Sequence, residues 1–390
     1  MAKEISFFSY KKNEAHQPPH TFAARLAPDN RPSGFDYLRL LLSFAIMVDH
    51  SVIACLGDQA QNQLFTNIFR PAVASLVPMF FALSGFLVAS SLIRSRTLIV
   101  FVLLRILRIV PALAVDTLFC ALFLGVIFTA MPLKQYFLDR SLWSYFLNIT
   151  GMIHYYLPGV FENNPSNVVN TQLWTIPFEL KCYATLTVMG LFKLHRWPLI
   201  FGFFTLAATI ATAIYVFWNP VSVIDVWHLL LPSFLWGVVF YLYADRIEWS
   251  ARLMSIALLS AILLLQQTSA LTTFAAVPVA YVTVWLGLLR PPRGWLIRSG
   301  DYSYPLYLYS FPIQQAIIVA VPFGRIWWIN LIVAIPIGFG LAFFSWHCVE
   351  HPAQSLRPYI FKAGAWVQEQ AGRFGLAKIR QRRAEKLRRC

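Results

Sequence analysis

The chain has 390 residues, of which 58% are hydrophobic and only 13% charged, with a formal net charge of +15. A soluble domain carries about a quarter charged residues, and stretches of roughly 18 or more apolar residues recur here, so the composition excludes an ordinary soluble enzyme and predicts a polytopic helical membrane protein. The runs are too long and continuous for a membrane β-barrel, and the Lys/Arg surplus, concentrated in Arg357 to Arg389 and beside apolar runs, reads as topology signal and anionic-lipid contact rather than nucleic-acid binding.

In chain order, a polar segment (1–33) without a cleavable signal precedes the first apolar run, which is therefore expected to stay as a helix. About ten membrane helices are predicted, at 37–56, 74–93, 108–130, 171–192, 197–217, 225–243, 252–268, 271–289, 302–321 and 326–348. They make an all-α bundle over 34–352, followed by a basic tail, 353–390. The one long connection, Met131 to Asn170, carries Pro132, Pro158, Gly159 and Pro165 and is expected to fold over a membrane face. With the N-terminus in the cytoplasm, twenty-seven of the 32 Lys/Arg fall on that side and four on the other, while Lys181 lies within a helix. This bias predicts both termini cytoplasmic. The cysteines (Cys55, Cys120, Cys182, Cys348, Cys390) show no CxxC spacing and read as small apolar residues, with no metal site expected.

The first helix holds His50 beside Asp49, a titratable pair that is costly in a membrane unless it faces a cavity or a partner. Arg39 lies eleven residues earlier, on the same helical face and about 16 Å away. Alone, Arg39 reads equally well as a snorkelling anchor. Counting from the outer side, His50 is about 9 Å deep and Glu179 of the fourth helix about 12 Å. Ser84 enters from that same side. His50, Asp49, Ser84 and Glu179 are therefore candidates for one polar chamber. At the inner end Arg105 and Arg108 share a face and join Arg39, Arg94 and Arg96 in a cationic patch suited to phosphate oxygens. Ordinary positive-inside decoration is the plainer reading of that patch, but Arg105 and Arg108 interrupt an apolar stretch, where a merely solvated charge is not cheap.

Several runs resemble the membrane acyltransferase-3 family of bacterial glycan O-acyltransferases. They are Phe35-Asp36-Tyr37-Leu38-Arg39 with His50, Phe80-Phe81-Ala82-Leu83-Ser84-Gly85-Phe86-Leu87, Arg105-Ile106-Leu107-Arg108, and Leu157-Pro158-Gly159. Asn170-Thr171-Gln172-Leu173-Trp174 through Glu179, Asp301-Tyr302-Ser303-Tyr304-Pro305 and Val349-Glu350-His351-Pro352 follow in the same order. The chain has Ser310 where many members carry histidine, and its tail is too short for the hydrolase-like module fused to some of them. The resemblance implies an acyl-CoA donor, usually acetyl-CoA, and a cell-surface or lipid-linked glycan hydroxyl as acceptor, in a bacterial inner membrane. No permanently bound cofactor is implied. Arg39, Arg105 and Arg108 would hold the acyl-CoA. His50 would act as general base, oriented by Glu179 or Asp49, with Ser84 near the developing oxyanion; an acyl-histidine intermediate is the rival course. Trp174, Tyr155 and Tyr156 are candidates to stack on a sugar, or plain aromatic-belt residues, and Asn170 and Gln172 are candidates to hydrogen-bond it. A proton-coupled transporter or flippase of a saccharide is the alternative from another class.

Overall fold

The computed structural model describes residues 20–26, 32–95, 97–222, 224–268 and 270–366. Arg96, most of the N-terminal segment and the tail beyond residue 366 lie outside the described residues. Among the described residues the fold is all-helical, and the ten longest helices run α1 (Gly34–Leu56), α2 (Arg70–Arg94), α3 (Leu98–Leu118), α4 (Ile176–Leu191), α5 (Pro198–Trp218), α6 (Trp227–Leu242), α7 (Ala251–Leu265), α8 (Ala276–Gly287), α9 (Ser303–Ala320) and α10 (Trp327–Ser345). Each predicted segment falls on one of them.

Among the described residues, six helical runs are long and apolar enough to cross a membrane: α1, α2, α3 continued to Phe128, α5, α8 with the turn before it, and α10 continued to Trp366. The helices α6 and α7 are apolar but shorter. Polar content sets α4 and α9 apart, since α4 carries Glu179 and Lys181, and α9 carries Ser310, Gln314 and Gln315. The third helix starts at Leu98, ten residues before the predicted start. Its two arginines looked like a terminus in the sequence, yet they lie inside the helix because both line a cavity, where Arg108 pairs with Asp301 and Arg105 donates to Ser91.

Small residues set the tightest packing. A Cβ on Gly85 of α2 would lie 1.9 Å from the Phe234 carbonyl oxygen of α6, and one on Gly237 of α6 would lie 2.1 Å from the Ala82 oxygen. Without a hydrophobic force between helices in lipid, such close approach supplies the van der Waals contact that joins them. The helix α9 is buried along most of its length, between α1 and α10. Its Pro312 has no N–H, which frees the Leu308 carbonyl one turn back. The side-chain amide of Asn170 donates to that carbonyl at 3.0 Å, satisfying the group as a low-dielectric interior requires.

The 131–170 connection folds into short helices, Leu133–Leu138 and Arg140–Tyr145, then a 3-10 turn and an extended stretch. It packs through Tyr136, Leu142, Tyr145, Val160 and Phe161 against Cys120 and Leu124, in the π-helical turn Phe119–Leu124 that follows α3. The Tyr136 hydroxyl donates to the Ala121 carbonyl at 2.6 Å. Gln315 of α9 pins the far end of the connection by donating to the Ser166 and Val168 carbonyls.

Candidate active site

A cavity of about 700 Å³ lies between α1, α2, α3, α4, α9 and the segment after α10. Val77, Phe80, Ser84, Leu87, Ser91 and Arg94 of α2 line it at helical spacing, so it follows that helix for about 26 Å at 1.5 Å per residue. Its two ends differ in chemistry. One end gathers Arg39, Arg94, Arg105, Arg108, Arg293 and Arg357 around Asp36 and Asp301. The other presents Ser84, Glu179, Tyr183, Thr175 and Tyr307 among apolar side chains.

Asp301 organises the cationic end. Its Oδ2 accepts from Arg39 Nη1 at 2.7 Å and from Arg108 Nη2 at 2.8 Å, and the Ser303 hydroxyl donates to its Oδ1 at 2.6 Å. Arg108 also approaches Glu350 Oε2 at 3.8 Å. Arg105 donates to the Ser91 hydroxyl at 3.2 Å and makes no salt bridge among the described residues. Guanidinium groups outnumber carboxylates here, so the hollow is net positive and suited to a polyanion. Deeper in, the Tyr183 hydroxyl donates to Glu179 Oε1, and Ser84 Oγ lies 3.5 Å from Tyr183 Oη.

The structure therefore brings Arg39, Arg105, Arg108, Ser84 and Glu179 to one cavity. His50 and Asp49 are not among its lining residues. His50 is buried on the side of α1 that meets α9, its ring edge-on to Phe311 with centroids 5.6 Å apart, and its Nδ1 has no protein partner. Tyr307 lines the cavity and Phe311 is one helical turn further along α9, so the imidazole lies about a turn beyond the cavity's deep end. Asp49 Oδ1 is likewise buried without a partner.

The remaining candidates also lie outside the lining. Asn170 donates to Asp116 Oδ2 as well as to Leu308. The Gln172 amide donates to Ser310 Oγ at 2.6 Å, so both amides are engaged within the protein. Trp174 is half-buried against Phe178, Tyr155 is half-buried and its carbonyl accepts from the Val169 N–H, and Tyr156 is exposed. Four polar residues received no role in the sequence reading: Asp301, Glu350, Tyr183 and Asp116. Asp301 and Glu350 stood in two of the runs quoted there, Tyr183 lies one turn after Glu179, and Asp116 is a lone carboxylate in an apolar run. Asp116 was a signal of the same kind that singled out His50.

A family described as an acyltransferase domain matches residues 33–347. The chain belongs to this acyltransferase family. It is similar to nodulation protein 10 of Rhizobium leguminosarum bv. viciae, 28% identical over 383 residues, covering 85% of this chain and 97% of that protein. It is also similar to an O-acetyl transferase of Shigella phage Sf6, 26% identical over 342 residues, covering 81% of this chain and 94% of that protein. No solved structure matches the chain. The chain is thus an acyltransferase of a membrane O-acyltransferase family, and acyl transfer takes precedence over the transport alternative. The acyltransferase region spans nearly all of the cavity wall; Gln354, Arg357 and Phe361 are the lining residues that lie beyond it.

Proposed function

We propose that this acyltransferase moves an acetyl group from cytoplasmic acetyl-CoA to a hydroxyl of a cell-surface or lipid-linked glycan. On this reading it lies in a bacterial inner membrane, with all ten helices crossing and both termini cytoplasmic. The observation that carries the reading is the polarity of the cavity. Its arginine-rich end suits the phosphates of CoA, and its length suits a pantetheine arm reaching toward Glu179, Tyr183 and Ser84. The similarity to an O-acetyl transferase supports acetyl as the group moved.

In the proposed reaction donor and acceptor meet across the layer between the cavity and His50. The imidazole takes the proton of the sugar hydroxyl, whose oxygen attacks the thioester carbonyl. The Ser84 and Tyr183 hydroxyls lie near the negative charge that develops on the thioester carbonyl oxygen. The C–S bond then breaks, and the departing CoA thiolate takes the proton from the imidazolium. Trp174, Tyr155 and Tyr156, outside the cavity, are proposed to border the acceptor's approach. Asn170 and Gln172 are tied within the protein beside Trp174 and serve as scaffold in this scheme.

One observation favours a second assignment of the base: Glu179 lines the cavity and His50 does not. Purified protein in proteoliposomes, given acetyl-CoA inside and a glycan acceptor outside, tests the function through thiol release and acetylated product. Acceptor-dependent thiol release is expected. Saccharide movement without thiol release would overturn the reading. His50→Ala and Glu179→Gln, compared in that assay, decide which group is the base.

A further inference from the structure

The chain does not end its helix at the last apolar run. After α10 it passes through a π-helical turn, Trp346–Glu350, and the short helix His351–Gln354, and resumes as a helix over 357–366. Arg357 lies ten residues past the end of the acyltransferase match at 347. Yet Gln354, Arg357 and Phe361 line the same cavity as Arg94, Arg105 and Arg108. Arg357 and Phe361 are four apart and so share a helical face.

This helix is seated closely. A Cβ on Gly364 would lie 2.1 Å from Val100 Cγ2 and 3.7 Å from Thr97 Oγ1, at the start of α3. A side chain there would force either this helix or the Val100 side chain to shift. Gly364 is seven residues from Arg357, two turns along the same side. Away from that side, Tyr359 and Trp366 are also seven apart and are 67% and 61% exposed. Amphipathic aromatics of this kind rest at a membrane–water interface. The helix therefore has one side against the cavity mouth and another fitted to headgroups. Its cation is also differently placed from those behind it. Arg39 and Arg108 share the Asp301 carboxylate at hydrogen-bond distance, whereas Arg357 makes no salt bridge among the described residues and lies within electrostatic reach of Arg108, Arg105 and Asp301. Asp301 offsets only part of the charge of Arg105, Arg108 and Arg357, so the opening keeps a net positive charge that favours a further anion.

We propose that the helix 357–366 is the outer lip of the donor site, with Arg357 binding the anionic nucleotide end of acyl-CoA. The inference rests on the acyl-CoA reading above and adds a binding element outside the acyltransferase region. The lip holds the nucleotide end of the donor and leaves the thioester end to the deeper residues. Its effect is therefore selectivity for the full nucleotide-bearing thioester over a short one.

The test compares acetyl-CoA with acetyl-pantetheine, which has the same thioester and no nucleotide, using the full chain in zwitterionic and in anionic nanodiscs. Wild-type protein is expected to prefer acetyl-CoA. Arg357→Glu should lower the ratio of the two kcat/KM values about tenfold, the size expected for a charge-assisted contact. Arg357→Lys should recover most of it. Gly364→Val, which crowds Val100, should lower the ratio without touching a charge. Because each protein serves as its own reference, partial loss of folded material does not move the ratio. Unchanged selectivity in Arg357→Glu, with the wild type active on acetyl-CoA, overturns the lip alone. A change confined to anionic nanodiscs also overturns it, by giving Arg357 to a lipid headgroup. A wild type that neither binds CoA nor releases thiol overturns the donor reading and the lip with it.

Discussion

Two polar regions of this bundle contrast. In the cavity cations exceed acids, and Asp301 serves Arg39 and Arg108 at once. In the layer above it, each side-chain amide donor has a protein acceptor: Asn170 on Asp116 and Leu308, Gln172 on Ser310, Gln314 on Met47, Gln315 on Ser166 and Val168. Hydrogen bonds of this kind fix helices against one another, while the Gln172 and Gln314 side-chain oxygens have no protein partner. Unmatched charge persists where water reaches it and is available to a ligand. The first region therefore reads as a binding site and the second as scaffold, and His50 sits at their border with an unpartnered Nδ1.

The largest effect tests that border. His50→Ala should reduce acyl transfer by about 10²- to 10⁴-fold, the range for a general base, while membrane insertion is unchanged. Thiol release from purified protein measures it. Near-wild-type turnover, together with an inactive Glu179→Gln, would move the base into the cavity and make His50 part of the scaffold.

The next two variants set the regions against each other. Asp301→Asn leaves Arg39 and Arg108 without their shared carboxylate. Breaking a fully buried pair costs roughly 3–5 kcal/mol, and these groups are 15%, 17% and 28% exposed, so a loss of about 2 kcal/mol is expected. A lower thermal midpoint in detergent would register it; an unchanged midpoint means that the cavity's ion pairs do not hold the bundle. Asn170→Ala strands the Leu308 carbonyl and Asp116 in a buried layer, at a cost of about 1–3 kcal/mol. Its KM for acceptor should stay near the wild-type value. Full stability with a raised acceptor KM would return Asn170 to the glycan.

Much of the architecture was legible because apolar runs of membrane length are a strong periodic signal. The long connection was likewise readable as a packed cover from its proline-rich, semi-apolar composition. Spacing also placed Arg39 and His50 on one face: Arg39 pairs with Asp301, two residues before α9, and His50 packs on Phe311 within α9. The rotation of one helix against another was not legible. Equal depth therefore did not tell that Glu179 lines the cavity while His50 points past its end. Nor does spacing reveal a pair such as Arg39–Asp301, whose members lie 262 residues apart. The start of α3 was misplaced for the same reason, since Arg105 and Arg108 look terminal until their cavity is seen. Asn170 and Gln172 were polar residues beside an aromatic, which read as sugar contacts. That Pro312 leaves a carbonyl for Asn170 to satisfy emerges only when α9 is packed against the turn.

The smallest effect belongs to Arg105, and it sharpens the contrast most directly. Its hydrogen bond goes to the neutral Ser91 hydroxyl and it makes no salt bridge among the described residues, so removing it breaks no direct ion pair. Arg105→Ala should leave the thermal midpoint almost unmoved. If the cavity binds a polyanion, the same change removes one charge-assisted contact and raises KM for acetyl-CoA about tenfold, or about 1.4 kcal/mol, with kcat little altered because the lost interaction is common to ground and transition states. A variant that loses stability and keeps its KM would place Arg105 with Asn170 among the groups that hold helices. A variant that keeps its stability and loses donor affinity separates the two regions by function as the geometry separates them by charge.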